Sequence, residues 1–321
     1  MASGRVVASF PLFVLRRAAT AFVLVLIVAS GALLLARVVP GDHLSSFEGD
    51  PKTIAAERHR LGLDDPVTVQ YFRWLRQAMV LDLGESVRYP GRSVSSLISE
   101  RAPYSAVAGG AALLFATLVG IPLGVLTGSR RSGPALAVAR GAMIFFLSLP
   151  PVVLSLALLL LASRTGWFPV GGLPPDPTVR EIVWHLVLPV LALGLPMAAV
   201  LERLQSRAMI DALKERSMIA ALARGIPRRR VVWRHALRLS LTPVLAVYGI
   251  IIGALISGSF IVEYVMTWPG LGRLMYDALV ARDANLVAGC AATGAIFLAT
   301  GILISDLALA AADPRLEGAR S

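Results

Sequence analysis

Cysteine is almost absent: Cys290 is the single one among 321 residues, and it falls inside an apolar run. No intrachain disulfide can form, and a structural zinc site lacks soft ligands, so cysteine usage says nothing of the redox compartment. Lysine is nearly as scarce. Lys52 follows a proline and Lys214 a leucine, so the GxxxxGK[S/T] loop that cradles nucleotide phosphates is missing and the chain has no such route to ATP. GxSxG, HExxH and clusters of histidine with carboxylates are missing as well, which removes serine, cysteine and metal-dependent hydrolysis; no catalytic, cofactor or metal residue is expected. Charged residues make up 16% against 56% hydrophobic, with a mean hydropathy of +0.71. That balance lies outside the soluble globular range and within the membrane class. The net charge of +11 sits in short basic segments beside apolar runs, as the positive-inside rule expects, so no nucleic-acid partner is expected.

The apolar runs predict six membrane spans, at 18–39, 104–128, 136–163, 182–202, 240–262 and 286–310. Residues 18–36 carry no ionisable group and approach the ~20 residues that cross a bilayer as a helix. A signal peptide is the rival reading. The run exceeds the ~7–15 residues of a signal core and Arg37-Val-Val-Pro-Gly-Asp42 lacks a small-x-small cleavage pattern, so a retained anchor is expected. Between spans one and two, residues 40–103 form a polar domain with nine acidic and eight basic side chains. Within it Val67, Tyr71, Trp74 or Leu75, and Ala78 fall at helical spacing after Asp65-Pro66, which predicts a short amphipathic helix resting on the membrane side of that domain.

Gly120, Gly124 and Gly128 give span two a small-residue face for close packing. Pro150-Pro151 interrupts span three, and Pro189 and Pro196 punctuate span four. Backbone groups freed by a proline pair need neighbouring helices or a watered cavity, so the break fits either a packed kink or a pore. The apolar cores are almost bare of charge. His185, Glu202, Glu263 and Asp306 stand near span ends and read as interfacial residues, which leaves no charge relay for ion coupling and no charged filter. Any uphill movement must draw its energy from a partner.

The connection 203–239 carries ten basic residues against Asp211 and Glu215. With Arg16-Arg17, Arg130-Arg131 and the C-terminus it shares one side, which places segments 1–17 and 311–321 in the cytoplasm and 40–103 and 263–285 outside. Within that connection the pattern predicts a helix from Ser206 to Arg224 with Met209, Leu213, Ile219 or Ala220, and Ala223 on one side. Gly225 is a stop signal and Pro227 suits the first turn of a second helix. There Arg230, Arg234 and Arg238 repeat every four residues, a like-charge spacing that costs an isolated helix ~0.2–0.5 kcal/mol per pair. Lipid phosphates or a partner's acidic groups would offset it. The small patch Ala220-Ala221-x-x-x-Gly225 suits a helix lying close in a partner's groove.

At these residues the chain resembles the permease subunits of bacterial ABC importers of the dipeptide/oligopeptide/nickel family, whose cytoplasmic loop carries E-A-A-x-x-x-G. Ala220, Ala221, Gly225, His235-Ala-Leu-Arg238 and Pro243 match; Ile219 stands where the family has Glu or Arg, and Ala220 where this branch often has Thr. Further landmarks follow in order: Pro40-Gly-Asp42, Leu61-Gly-Leu-Asp64, Gln70-Tyr71, Arg73-Trp-Leu75, Asp82-Leu-Gly84, Gly120-Ile-Pro-Leu-Gly124, Gly166-Trp-Phe-Pro169, Trp268-Pro-Gly-Leu-Gly272 and Asp313-Pro-Arg315.

The resemblance implies an all-α integral membrane protein of six transmembrane helices, the type I importer permease fold, with an extracytoplasmic domain between helices 1 and 2. That domain marks the first, B-type, member of a heterodimeric permease pair in the bacterial plasma membrane. The implied partners are a second permease, two ABC ATPases that use ATP and magnesium, an extracytoplasmic substrate-binding protein and membrane lipid. The implied cargo is a di- or oligopeptide. Ala220, Ala221, Arg224, Gly225, Ile226 and Arg228 would couple to the ATPase, with Arg224 and Arg228 available to acidic groups at the groove rim. Trp268, Pro269, Gly270, Leu271 and Gly272 would form an outer gate or binding-protein surface, or a plain connector. A membrane anchor or receptor, or a passive channel subunit, that uses the same basic loop to hold a cytoplasmic partner is the alternative.

Overall fold

A computed structural model describes residues 3–38, 64–80, 82–130 and 133–312, and among these the only extended pairing is an isolated bridge between Glu85 and Ser93. The landmarks in 39–63 and 313–321 lie outside the described residues. In chain order the helices are α1 Ser3–Val38, α2 Val67–Ala78, α3 Val94–Ser129, α4 Pro134–Ser148, α5 Pro151–Thr165, α6 Val179–Lys214, α7 Arg216–Ala223 and α8 Arg228–Arg230. A π-helical turn Val231–Ala236 follows, then α9 Leu237–Leu245, α10 Tyr248–Val265, α11 Leu271–Val280 and α12 Ala284–Ala312.

Local chemistry marks several of these boundaries. Pro134 and Pro151 occupy first turns of α4 and α5, where a missing N–H costs nothing. Gly166 ends α5 in the left-handed region at φ +67°. Thr178 and Glu181 form a reciprocal capping box at the start of α6.

Among the described residues five stretches are long and apolar enough to cross a membrane: Leu15–Arg37 of α1, α3, α6, α10, and Ala284–Leu309 of α12. Helices α4 and α5 qualify only as a pair, bent by 110° at the break before Pro151, and counting that pair as one span gives six. Some bounds differ from those expected. α3 starts at Val94 rather than 104, and α6 continues to Lys214 rather than ending at 202, because apolar content sets where lipid ends and not where helix ends. α10 begins at Tyr248, after α9 has ended at Leu245.

The chain divides into two compact units, one of Met1–Ser105 with Pro269–Ala299 and the other of Ala106–Trp268 with Thr300–Ser321. In the first, Trp74 of α2 is buried with Ala29 and Leu33 of α1 and with Ala284 and Ala288 of α12. Tyr71, Leu75 and Ala78 join the same face, and Tyr71 Oη lies 3.0 Å from Ser30 Oγ. The expected amphipathic helix is therefore present, and its apolar face is held by helices; Val67 stays largely outside.

In the second unit Ala112 and Ala116 of α3, Leu188 to Leu201 of α6, and Ile251, Leu255 and Val262 of α10 form the main core. The glycine stripe of α3 is what lets α6 approach. A Cβ on Gly120 would stand 2.6 Å from the Ala198 carbonyl oxygen, on Gly124 2.7 Å from that of Glu202, and on Gly128 2.5 Å from that of Ser206. Several polar side chains near this contact are hydrogen-bonded, although Gln205 Oε1 is buried without a partner. Thr127 Oγ1 donates to Glu202, Arg140 donates to the Thr127 carbonyl, and Gln205 Nε2 donates to Ser240 Oγ at 2.8 Å.

Candidate functional site

The helix expected over Ser206–Arg224 is interrupted. Glu215 is extended, at φ −60° and ψ 139°, so α6 ends at Lys214 and α7 starts afresh at Arg216. No glycine or proline marks the break in the sequence; packing overrides propensity here. The restart changes the phase of the buried face. Met218 and Ala221 point inward, against Val125 of α3, Met209 and Ala212 of α6, and Val231, Val232 and Ala236 of the π turn. Ser217, Ile219, Ala220, Leu222, Ala223 and Arg224 are exposed, so the two signature alanines divide: Ala221 seats α7 on its own protein and Ala220 faces out.

The end of α7 is a Schellman closure. The Gly225 amide donates to the Leu222 carbonyl at 3.0 Å and the Ile226 amide to that of Ala221 at 3.2 Å, with Gly225 at φ +81°. Ile226 packs against the small core beneath α7, and Pro227 caps α8. Gly225 itself is exposed, and a Cβ built on it meets no atom within 4 Å. The corner at Gly225 is thus open, with room for a partner's side chains.

Arg224 and Arg228 are less free than the sequence suggests. Arg224 Nε turns back to the Ala220 carbonyl at 3.3 Å, and Arg228 Nη2 donates to the Ser129 carbonyl at 2.9 Å. The second contact caps α3, whose last carbonyls have no partner within the helix and whose dipole favours a cation there. Arg228 therefore ties the α7–α8 corner to the foot of α3. Arg229, Arg230, Arg234 and Arg238 are exposed and have no carboxylate partner among the described residues. Ile219 and Leu222 of α7 are exposed as well, so the connection shows solvent both apolar and cationic side chains.

The Trp268 to Gly272 stretch lies mostly inside the protein. Trp268 and Leu271 are 2% and 1% exposed, Gly270 and Gly272 are buried, and Pro269 is half-buried. Thr267 takes a positive φ of 53°, the Trp268 amide donates to the Glu263 carbonyl at 2.9 Å, and the Leu271 amide donates to Ser105 Oγ at 2.7 Å. The motif builds a tight turn before α11, and the exposed side chains nearby are Tyr276, Leu279 and Val280 of that helix.

Residues that the sequence reading left out include Gln205, fully buried against Ser240, and Thr127, the donor to Glu202. Glu202, taken as interfacial, is 6% exposed. Asp283 was also missed, although an Asp directly before an apolar helix is an N-cap signal. Among the described residues no group of three or more His, Cys, Asp or Glu could hold a metal ion.

Residues 120–318 match the family described as binding-protein-dependent transport system inner membrane component, and residues 11–91 match the N-terminal component of such systems. The oligopeptide transport system permease protein AppB of Bacillus subtilis (strain 168) is 31% identical over 313 residues, 95% of this chain and 99% of AppB. The dipeptide transport system permease protein DppB of the same organism is 28% identical over 298 residues, 91% of this chain and 94% of DppB. In three dimensions the chain is similar to inward-facing structures of the MetNI methionine ABC transporter. One has a TM-score of 0.56 at 16% identity, covering 68% of this chain and 96% of that one, and a second a TM-score of 0.55 at 18% identity with the same coverage. At that identity the likeness is one of fold. The chain belongs to the binding-protein-dependent transport system inner membrane component family, the multi-pass inner-membrane permease subunits of ABC importers.

Proposed function

We propose that this chain is the B-type half of a heterodimeric peptide permease driven by two cytoplasmic ATPases, with α7 as the element on which an ATPase docks. The observation that carries the reading is the two-sided construction of α7. Its inner face, Met218 and Ala221, is packed on α3, α6 and the π turn, while its outer face and the Gly225 corner are open. A push received on the outer face is delivered to spans without an intervening flexible segment. Ala220, Gly225 and the exposed nitrogens of Arg224 and Arg228 meet the ATPase groove; Ala221 and Ile226 hold the helix to its own spans.

On this reading the connection between α6 and α10 and both termini are cytoplasmic, in keeping with the ten basic residues of 203–239. ATP and magnesium act at the ATPases. The outer segments receive an extracytoplasmic binding protein, and that protein selects the cargo, since the spans offer few polar groups to do so. Peptide cargo is supported by the names of the two Bacillus relatives.

The test is uptake into proteoliposomes holding this chain with its second permease and ATPases. Labelled di- and oligopeptides should accumulate only when ATP and the binding protein are both present. Flux without ATP would make the chain a channel subunit, and ATPase binding without any flux would make it an anchor.

A further inference from the structure

Asp283 lies far along the chain from the docking helix and has no role in the function proposed above, yet it is 0% exposed and its side chain accepts four hydrogen bonds. Oδ1 accepts from the Leu286 amide at 3.0 Å, the N-cap contact that starts α12. Oδ2 accepts from the Ser86 hydroxyl at 2.7 Å and from the amides of Val87 and Arg88 at 2.7 and 3.1 Å, donors 195 to 197 positions away. Any small polar residue could cap a helix. The second oxygen does something else: it gathers three donors of a distant loop onto the foot of that helix.

The loop it gathers is itself closed. The Gly84 amide donates to Asp82 Oδ1 at 3.0 Å, and the Ser86 amide donates to the Arg92 carbonyl at 3.0 Å. The Val94 amide donates to the Gly84 carbonyl at 2.9 Å, so the loop ends where α3 begins. Gly84 has φ +80°, and a Cβ there would come within 3.2 Å of Asn285 Nδ2, two residues beyond Asp283. The Ser86 hydroxyl also accepts from the Tyr89 amide at 3.1 Å, and Tyr89 Oη donates to Asp277 of α11 at 3.4 Å. Burial first, and the Asp277 charge second, hold the Tyr89 hydroxyl above its ordinary pKa of 10, so it remains a donor throughout the physiological range.

We infer that Asp283 is a positioning residue that makes loop 84–93, α11 and the start of α12 a single rigid body, and that this body is the surface on which the substrate-binding protein seats. The second half of the statement rests on the function proposed above. Loop and helix together expose the charged Glu85 and Arg88 and the largely apolar Tyr276, Leu279 and Val280, a combination of side chains suited to a protein partner. Without Asp283 the amides of Val87 and Arg88 lose their acceptor, and the loop must be ordered anew each time a partner binds. That ordering weakens association and leaves the chemistry at the ATPases untouched.

Two measurements on the assembled transporter test this. Hydrogen exchange at Val87 and Arg88 reads the clamp alone; Asp283→Ala should abolish their protection, and unchanged protection would overturn the inference. Titration of ATPase stimulation with the binding protein reads the consequence. Asp283→Ala should raise the half-saturating concentration about tenfold, with the rate at saturation kept. Ser86→Ala leaves the cap and both amide bonds in place and should raise it roughly two- to threefold, with Ser86→Thr restoring it. A fall in the saturated rate with half-saturation unchanged, in either variant, would overturn the positioning role. Should Asp283→Ala fail to accumulate, the Ser86 pair decides alone. Absence of any stimulation in the unaltered transporter would remove the function proposed above, while exchange would still decide whether the clamp exists.

Discussion

Gly225→Asp should leave the protein in the membrane at normal abundance and reduce ATP-driven uptake at least about tenfold, the loss that follows when ~1.4 kcal/mol of coupling disappears. Three observations set this expectation. Gly225 has φ +81°, a region that costs most L-residues ~1–2 kcal/mol but that Asn and Asp tolerate best. A Cβ there meets nothing within 4 Å, so the chain itself has no steric objection. The new carboxylate would stand at the C-terminal end of α7, where the helix dipole disfavours negative charge by ~0.3–1 kcal/mol. Local folding therefore survives with modest strain. The partner sees more, because a charged side chain now projects from the exposed corner that ends α7. Gly225→Asn separates charge from bulk and should be the milder of the two. Measuring uptake, ATP hydrolysis and membrane abundance together distinguishes uncoupling from misfolding, and normal uptake by Gly225→Asp would remove α7 from the energy path.

The second large effect belongs to the packing of α3 on α6. Gly128→Leu should lower the unfolding temperature of the purified protein sharply, through a loss of roughly 1–3 kcal/mol or more from overpacking. The Cβ alone would stand 2.5 Å from the Ser206 carbonyl oxygen and 2.9 Å from Met209 Cβ. Backbone cannot yield as a side-chain tip can, so the helices must separate. Separation would also disturb Thr127 with Glu202, whose burial between these helices requires a partner. Gly110 in the same helix supplies the control: it is exposed and has nothing within 4 Å of a built Cβ. Gly110→Leu should therefore be close to neutral in the same thermal scan. Equal shifts for the two would mean that the close approach is not what holds α3 to α6.

What the sequence made legible follows the range of the forces involved. The apolar runs, the four-residue glycine spacing and the Gly225-x-Pro227 punctuation are local patterns, and the helices, the α3–α6 contact and the α7 corner agree with them. The inward turn of Ala221 was not legible, because the break at Glu215 carries no glycine or proline and resets the helical phase by packing alone. Pro150-Pro151 announced an interruption, but its size, 110°, is decided by what the two halves pack against. Arg228 looked like a surface cation because its acceptor, the Ser129 carbonyl, is 99 residues away. Asp283 escaped for the same reason: its three loop donors lie nearly two hundred positions upstream. Buried polar contacts between distant segments leave no periodic trace, and they supply much of the candidate site.

The central claim is that energy enters through the outer face of α7. A cysteine placed at Ala220, exposed on that face, tests it most directly in an otherwise cysteine-free chain with Cys290 replaced. Treated with a short bifunctional thiol reagent, the assembled transporter should yield an adduct between position 220 and an ATPase subunit carrying a cysteine in its docking groove. A cysteine at Arg238, on the helix leading into the spans, should give none. An adduct at 238 with none at 220 would contradict the account and move the docking surface to the arginine row.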